Sequence, residues 1–312
     1  MSYAIDPELV PWLAMLPMMT VADPVAARTQ SRELLAALPP ADLSGLTVDN
    51  RTIPGPPGAP DVPVRVYRPT GVDRPLPAVL EIHGGGFLLG DLDFEEQAAA
   101  SVAREVTAVV VSVDYRLAPE HPYPAAVEDC YAALTWLVAS AGELGVDPER
   151  VAVYGESAGG GLCAAVALLA RDRGGPRVTF QFLGIPELDD RLDTPSMQSY
   201  VDTPLWHRPN AELSWAFYLG DAAKPGGPEV SPYAAPARAE NLTGLPPAYI
   251  TVCQFDPLRD EGIDYAKRLA QAGVPVELHL YPATFHGSAL IAGAAVSQRM
   301  HQDAIAALQR AL

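Results

Sequence analysis

The sequence predicts an α/β protein with a mostly parallel central sheet flanked by helices. Short, almost continuously apolar segments alternate with segments of helical periodicity, which is typical of strands buried on both faces of a sheet. At 312 residues and 49% apolar composition, the chain is also able to enclose one large core. The predicted strands cover residues 77–83, 107–114, 151–154, 178–184, 247–253 and 276–281.

The first 50 residues predict a helical segment ahead of the sheet. Asp6 and Asp23 each stand directly before a proline, a frequent arrangement of an N-cap and the first helical residue. A loop rich in proline and glycine at residues 53–63 ends this pattern. We therefore expect an N-terminal helical segment over residues 1–50 and one α/β domain over residues 51–312.

A long insertion interrupts the α/β domain at about residues 186–235. It is irregular apart from one helical pattern near residues 210–220. Long insertions beside the carboxyl edge of a sheet often carry lids or binding elements. We expect this one to lie over a site at that edge.

The charge of the chain argues against nucleic acids and anionic membranes as partners. Its 38 acidic and 21 basic residues give a net charge of −17, whereas both partners require a basic face. The cysteines, Cys130, Cys163 and Cys253, lie far apart, so we expect neither a disulfide framework nor a cysteine-based zinc site. No sequence feature calls for a metal ion or an organic cofactor.

The apolar run at residues 10–22 resembles the core of a signal peptide. No positively charged region precedes it, and Pro11 and Pro17 interrupt it, so we interpret it as a packing segment. No stretch reaches the ~18 apolar residues that a membrane-spanning helix needs. We therefore expect a cytoplasmic protein.

One serine stands between a predicted strand and a predicted helix. Gly155-Glu156-Ser157-Ala158-Gly159 follows VAVY and precedes a segment rich in alanine and leucine at helical spacing. In a nucleophile elbow, such a turn holds the serine with its hydroxyl group exposed. The helix N-terminus also directs free N–H groups toward the serine. The alternative is an ordinary glycine-rich turn.

Three glycines follow a histidine at the end of another predicted strand, in His83-Gly84-Gly85-Gly86. Consecutive glycines let neighbouring N–H groups face the same way, as an oxyanion hole requires, and this motif accompanies the elbow in esterases. A phosphate-binding loop is the alternative, but the Lys-Ser/Thr pair of a Walker motif is missing. We interpret His83 as an orienting hydrogen-bond partner rather than as the base.

A nucleophilic serine needs a base, and the base needs an acid that fixes its tautomer. After an elbow, the acid precedes the histidine in the chain. His286 lies in a loop just past a strand end, and Asp256 follows the strand at 247–253 by three residues. We predict these two residues as base and acid. The alternatives are His207, His279 and His301 for the base, and Asp260, Glu261, Asp189 and Asp190 for the acid.

Beyond about residue 60, several motifs follow one another in a specific order. They are HGGG at 83–86, DYRLAPEHPYPAAVED at 114–129, GESAGG at 155–160, SPYAAP at 231–236, LPPAYI at 245–250, DPLRDEG at 256–262 and the HG pair at 286–287. Together they resemble the bacterial hormone-sensitive-lipase-like esterases of the α/β-hydrolase superfamily. Two positions depart from that pattern: Glu156 replaces the usual Asp or Thr, and Ser288 replaces an aromatic residue. We expect Glu156 to form structural hydrogen bonds and Ser288 to reshape the pocket near the base.

The resemblance implies an α/β-hydrolase fold and a carboxylic-ester hydrolase with Ser157, Asp256 and His286 as its triad. It also implies a cap built from the N-terminal helices and the insertion, and often a homodimer. The implied oxyanion donors are the N–H groups of Gly84, Gly85 and Ala158. Pocket candidates are Phe87, Trp206, Trp215, Phe217 and Phe285.

The expected function is a serine carboxylesterase for short- to medium-chain esters, with a small ester as its substrate. An amidase or a lactonase would use the same triad. A non-catalytic receptor resembling the plant gibberellin receptors is the alternative of another class. Such receptors lack the catalytic histidine, so the presence of His286 argues against this alternative.

Overall fold

An eight-stranded sheet in the order β1-β2-β4-β3-β5-β6-β7-β8 forms the centre of the protein. The computed structural model describes residues 3–14, 20–36 and 39–312. Strands β3 to β8 run parallel, whereas β1 pairs antiparallel with β2, and β2 pairs antiparallel with β4. The strands are β1 Leu46–Ile53, β2 Val62–Pro69, β3 Leu76–Ile82, β4 Val109–Val113, β5 Val146–Glu156, β6 Phe180–Gly184, β7 Ala248–Phe255 and β8 Val276–Phe285.

All strands of the parallel part were expected from the sequence, and the predicted fold class is confirmed. The helical prediction is wrong for residues 46–50, which lie in β1. Strand β1 is mostly exposed and polar on both faces, so it has no apolar alternation to reveal it. Strand β2 was not predicted because prolines flank and interrupt it. As an antiparallel pair at the sheet edge, both strands depend on pairing partners rather than on local pattern.

Helices cover both faces of the sheet. Apolar side chains of α4, α6 and α9 pack on one face, and those of α3 and α10 pack on the other. No helix in the described ranges is long and apolar enough to cross a bilayer. The helices are α1 Val10–Leu13, α2 Pro24–Ala36, α3 Glu96–Val106, α4 Ala125–Ala139, α5 Ala141–Leu144, α6 Ala158–Asp172, α7 Pro195–Ser199, α8 Arg208–Leu219, α9 Arg259–Gln271 and α10 Ala295–Ala311.

The N-terminal helices and the insertion meet at the carboxyl edge of the sheet. The Asp23 carboxylate accepts the N–H groups of the first turn of α2, as the Asp-Pro pair predicted. From α2, Arg28 donates to the carbonyl oxygen of Leu88 at 2.7 Å. Val21 and Ala27 pack in one apolar cluster with Trp206 and Ala211 of the insertion. Residues 15–19 of the apolar run lie outside the described residues.

Candidate active site

Ser157 lies on a strained turn between β5 and α6. Its φ of 56° falls in the region that non-glycine residues rarely adopt. The turn needs its glycines, because a Cβ atom on Gly159 would lie 2.0 Å from the carbonyl oxygen of Ile82. The Ser157 N–H donates to the Gly184 carbonyl at 2.8 Å, which fixes the turn against β6. The close packing at Gly159 and this hydrogen bond therefore hold the Ser157 hydroxyl group at the carboxyl edge of the sheet.

Three side chains from three strand ends form a continuous hydrogen-bonded chain. The Ser157 Oγ lies 2.9 Å from His286 Nε2, and His286 Nδ1 lies 2.8 Å from Asp256 Oδ2. The other oxygen of Asp256 accepts the N–H of Leu258 at 2.9 Å. With its Nδ1–H donated to Asp256, His286 keeps the Nε2 lone pair free to accept the serine proton. The arrangement can activate Ser157 as a nucleophile.

The structure places the alternative bases and acids elsewhere. His207 caps α8, His279 pairs with Glu277 on β8, and His301 pairs with Glu105. Asp260 accepts the N–H of Ser196, and Glu261 accepts those of Leu188 and Asp189. Asp189 pairs with Arg191, and Asp190 pairs with Arg238. None of these groups contacts Ser157 in the described structure.

The glycine loop, residues 83–86, lies beside Ser157, but its first glycine is already engaged. The Gly84 N–H donates to Glu95 Oε1 at 2.9 Å, so it is not free to bind an oxyanion. Within the described chain, no protein acceptor takes the N–H groups of Gly85, Gly86 or Ala158. The sequence therefore pointed to the right loop, but Gly86 replaces Gly84 among its free donors.

Each carbonyl oxygen of the glycine loop accepts at least one hydrogen bond. His83 Nδ1 binds the Gly84 oxygen at 2.8 Å, the N–H groups of Leu88 and Leu89 bind that of Gly85, and Ser214 Oγ donates to that of Gly86 at 2.9 Å. Tyr115 donates to the His83 oxygen and stacks on its ring. Burial lowers the pKa of His83 to about 4, so the ring is neutral and orients the loop.

Two carboxyl groups adjoin the triad, one on the half-buried Glu156 and one on the fully buried Glu187. Burial, and next the charge of Glu95, raise the pKa of Glu156 to about 7, while His286 lowers it. Burial, and with it the charge of Asp256, raise the pKa of Glu187 to about 8. In the described residues, the Glu156 carboxyl group forms none of the structural hydrogen bonds that we expected of it.

The five pocket candidates lie in different environments. Trp206 lies against His286, with ring centroids 6.0 Å apart, and against Gly86. Phe87 and Trp215 pack on each other in the main core, and Phe217 borders the cluster of α2 and α8. Phe285 is fully buried under the His286 loop. None of the five lines the surface cavity of about 500 Å³ beside α9.

Ser288 faces the His286 loop rather than the pocket. Its Oγ accepts the N–H of Phe285 at 2.8 Å and donates to the Phe285 carbonyl at 2.7 Å. The expected reshaping of the pocket is therefore replaced by a clamp on the residue next to the base. No group of three or more His, Cys, Asp or Glu residues in the described ranges is arranged to hold a metal ion.

Comparisons with known proteins agree with this geometry. A family model described as an alpha/beta hydrolase fold matches residues 79–290. The chain is 44% identical to carboxylesterase NlhH of Mycobacterium tuberculosis, over 99% of this chain and 96% of that protein. It is 35% identical to ethyl acetate hydrolase of Pseudomonas putida, over 79% of this chain and 74% of that protein.

Among solved structures, that of a bacterial heroin esterase superposes with a TM-score of 0.96 at 52% identity, covering 99% of this chain and 98% of that one. The match therefore extends over almost the whole length of both chains. The chain belongs to the α/β-hydrolase family, in its bacterial hormone-sensitive-lipase-like carboxylesterase group.

Proposed function

We propose that this protein is a serine carboxylesterase that hydrolyses short- to medium-chain carboxylic esters through an acyl-enzyme on Ser157. The hydrogen-bonded chain from Asp256 through His286 to Ser157 is the observation that carries this proposal. The same contact argues against a non-catalytic receptor, because a receptor has no use for a base that is aligned on the serine.

The first half of the reaction forms the acyl-enzyme. His286 Nε2 takes the proton of Ser157 as Oγ attacks the ester carbonyl carbon, and the carbonyl electron pair moves to oxygen. The N–H groups of Gly85, Gly86 and Ala158 bind the resulting oxyanion. One such donor typically contributes on the order of 10²–10³ in rate. His286 then gives its proton to the leaving alcohol as the C–O bond breaks.

The second half returns the enzyme to its starting state. Water attacks the acyl-enzyme while His286 takes its proton, and a second oxyanion forms against the same donors. Its collapse releases the carboxylic acid and returns a proton to Ser157. Asp256 orients the imidazole and stabilises its positive charge through both halves. These residues complete the reaction without a cofactor.

A cap over the site favours small acyl groups. We assign this cap to the helices of residues 1–50 and to the insertion at 186–235, without residues 46–50, which belong to the sheet. Ser157 is 8% exposed, and Trp206 narrows the space beside His286. The similarity to ethyl acetate hydrolase agrees with a small acyl group. A cytoplasmic location and a homodimer stay predictions of the sequence.

The test is hydrolysis of p-nitrophenyl esters from acetate to palmitate. We expect the wild type to prefer short chains, and Ser157→Ala and His286→Ala to fall to background. His301→Ala is the matched control, because that histidine pairs with Glu105 at the surface, and it should keep full activity. A wild type that is inactive on every ester but active on amides or lactones would contradict the assignment.

A further inference from the structure

Three glutamates that the mechanism does not use converge behind the glycine loop. Glu81 lies in β3 and is 2% exposed, Glu95 directly precedes α3, and Glu156 directly precedes Ser157. Within the described chain, no arginine or lysine binds any of the three. Carboxyl groups in a low-dielectric environment without a cation are unfavourable and are often functional.

Glu95 connects this cluster to the loop. Its Oε1 accepts the Gly84 N–H at 2.9 Å, and its carboxyl group also hydrogen-bonds that of Glu81. Glu81 is in turn hydrogen-bonded to Ser112 of β4. Two carboxyl groups can hydrogen-bond each other only when one of them carries a proton. The Glu81–Glu95 pair therefore shares a proton next to the oxyanion donors.

The surroundings favour keeping that proton. Burial, and next the charge of Glu81, raise the pKa of Glu95 well above its usual range, and burial also raises that of Glu81. The mutual hydrogen bond favours the proton on Glu95 and the charge on Glu81. The titratable groups that face the pair are Glu156, Tyr154, Tyr115, Tyr67, Cys130 and Cys163. His286 faces Glu156 on the other side.

We propose that the Glu81–Glu95 pair is a positioning device, which holds the Gly84 N–H and thereby aims the next two N–H groups of the loop while the pair shares a proton. This inference rests on the proposed esterase function. Gly84 is close to the nucleophile, because a Cβ atom on it would lie 3.5 Å from the Ser157 Cβ. A small displacement of this peptide therefore moves the donors relative to the reacting carbonyl.

Loss of the shared proton reverses the arrangement. Two carboxylates then face each other in a weakly solvated site and repel. Glu95 withdraws from Gly84, and the loop loses the contact that sets its orientation. Because the oxyanion forms only in the reaction, kcat falls while KM changes little. The pair thus gives the enzyme an alkaline limit.

The experiment compares Glu95→Gln with Glu95→Ala by pH-stat hydrolysis of methyl butyrate from pH 5.5 to 10. Glutamine still accepts the Gly84 N–H and donates to Glu81, but it does not titrate. We expect Glu95→Gln to keep kcat within about threefold at pH 7 and to lose the alkaline limb, or to shift it upward by about one pH unit or more. Glu81→Gln should also lose the limb, because an ionised Glu95 then faces no second carboxylate.

Glu95→Ala removes the acceptor and should lower kcat by about tenfold or more with less than about a twofold change in KM. Its affinity for a trifluoromethyl ketone, whose serine adduct carries an oxyanion, should fall in parallel with kcat. Glu96→Gln is the control, because Glu96 pairs with Arg65 outside the cluster, and its pH profile should match that of the wild type.

The outcomes separate this inference from the proposed function. A wild type that hydrolyses no ester contradicts the function itself. If the wild type is active and Ser157→Ala is not, a wild-type alkaline limb in Glu95→Gln overturns the shared proton. A wild-type kcat in Glu95→Ala overturns the positioning role. If Glu95→Ala fails to fold, the pH profile of Glu95→Gln alone decides.

Discussion

Acidic side chains lie buried in two parts of this protein, and the two parts compensate them differently. In the scaffold, Asp129 and Asp190 are fully buried, and each receives two hydrogen bonds from an arginine side chain. The partners are Arg116 and Arg238, whose side chains are 23% and 15% exposed. A guanidinium group that donates two hydrogen bonds compensates the negative charge of such a buried carboxylate.

Around the reacting groups the compensation is a proton instead. Glu81, Glu95, Glu156 and Glu187 bind no arginine or lysine in the described part of the chain, and the pKa of each is raised by burial. An arginine or lysine beside these glutamates would compete with the His286 imidazolium for Asp256. It would also compete with the N–H donors of the glycine loop for the oxyanion. Near the reacting groups, the fold therefore uses shared or retained protons in place of these ion pairs.

The largest effect should come from Asp256, a site acid whose negative charge the mechanism requires. Asp256→Asn keeps the shape but presents an amide to His286, which favours the wrong tautomer. We expect kcat to fall on the order of 10⁴-fold, measured on p-nitrophenyl acetate. The control is Asp260→Asn, whose carboxylate binds Ser196 and Arg259 instead. Equal losses in both variants would contradict the distinction between these two acids.

The next effect is on stability and tests the scaffold directly. Asp190→Asn leaves Arg238 without its carboxylate in a largely buried site, so the free energy of unfolding should fall by about 3 kcal/mol. Glu81→Gln removes a carboxyl group that has no cation and should change it by less than about 1 kcal/mol. Urea denaturation at pH 7 measures both. A larger loss in Glu81→Gln would reverse the comparison.

The sequence predicted the triad side chains because local pattern identifies strand ends. Ser157, Asp256 and His286 each follow an apolar strand, and parallel strands bring their carboxyl ends to one edge. The contact between Gly84 and Glu95 has no such signal. It depends on how α3 docks after the loop, so the sequence motif alone could not indicate that the Gly84 N–H is already hydrogen-bonded. The prediction missed strand β1 for a related reason, because this strand is stabilised by its pairing with β2 rather than by a local sequence pattern.

A smaller effect should follow from Ser288, whose uncharged hydroxyl group binds the backbone of Phe285 next to His286. Ser288→Ala removes one hydrogen bond that Ser288 accepts from the Phe285 N–H and one that it donates to the Phe285 carbonyl, and leaves both groups buried. We expect the free energy of unfolding to fall by about 1–2 kcal/mol. Because His286 is the next residue, kcat should also fall. Thermal unfolding and ester hydrolysis measure the two effects. Ser44→Ala, at an exposed turn, should change neither, and an equally large effect there would show that the clamp is not specific.

The smallest effect concerns the retained proton on Glu156. Burial, and next Glu95, raise the pKa of this carboxyl group to about 7, whereas in the unfolded chain it ionises near its ordinary value of 4.5. Between these two values the folded protein binds more protons than the unfolded chain. This group therefore makes the wild type less stable as the pH rises through that window.

Glu156→Gln removes this titration while keeping a side chain of the same length. Relative to the wild type, the free energy of unfolding of the variant should increase by about 1 kcal/mol between pH 5 and pH 6. Urea denaturation at both pH values measures the difference. Glu143→Gln is the matched control, since Glu143 is exposed and pairs with Arg51, and it should show no such rise. A constant difference for Glu156→Gln would mean that its carboxyl group is charged in the folded protein, as in the scaffold.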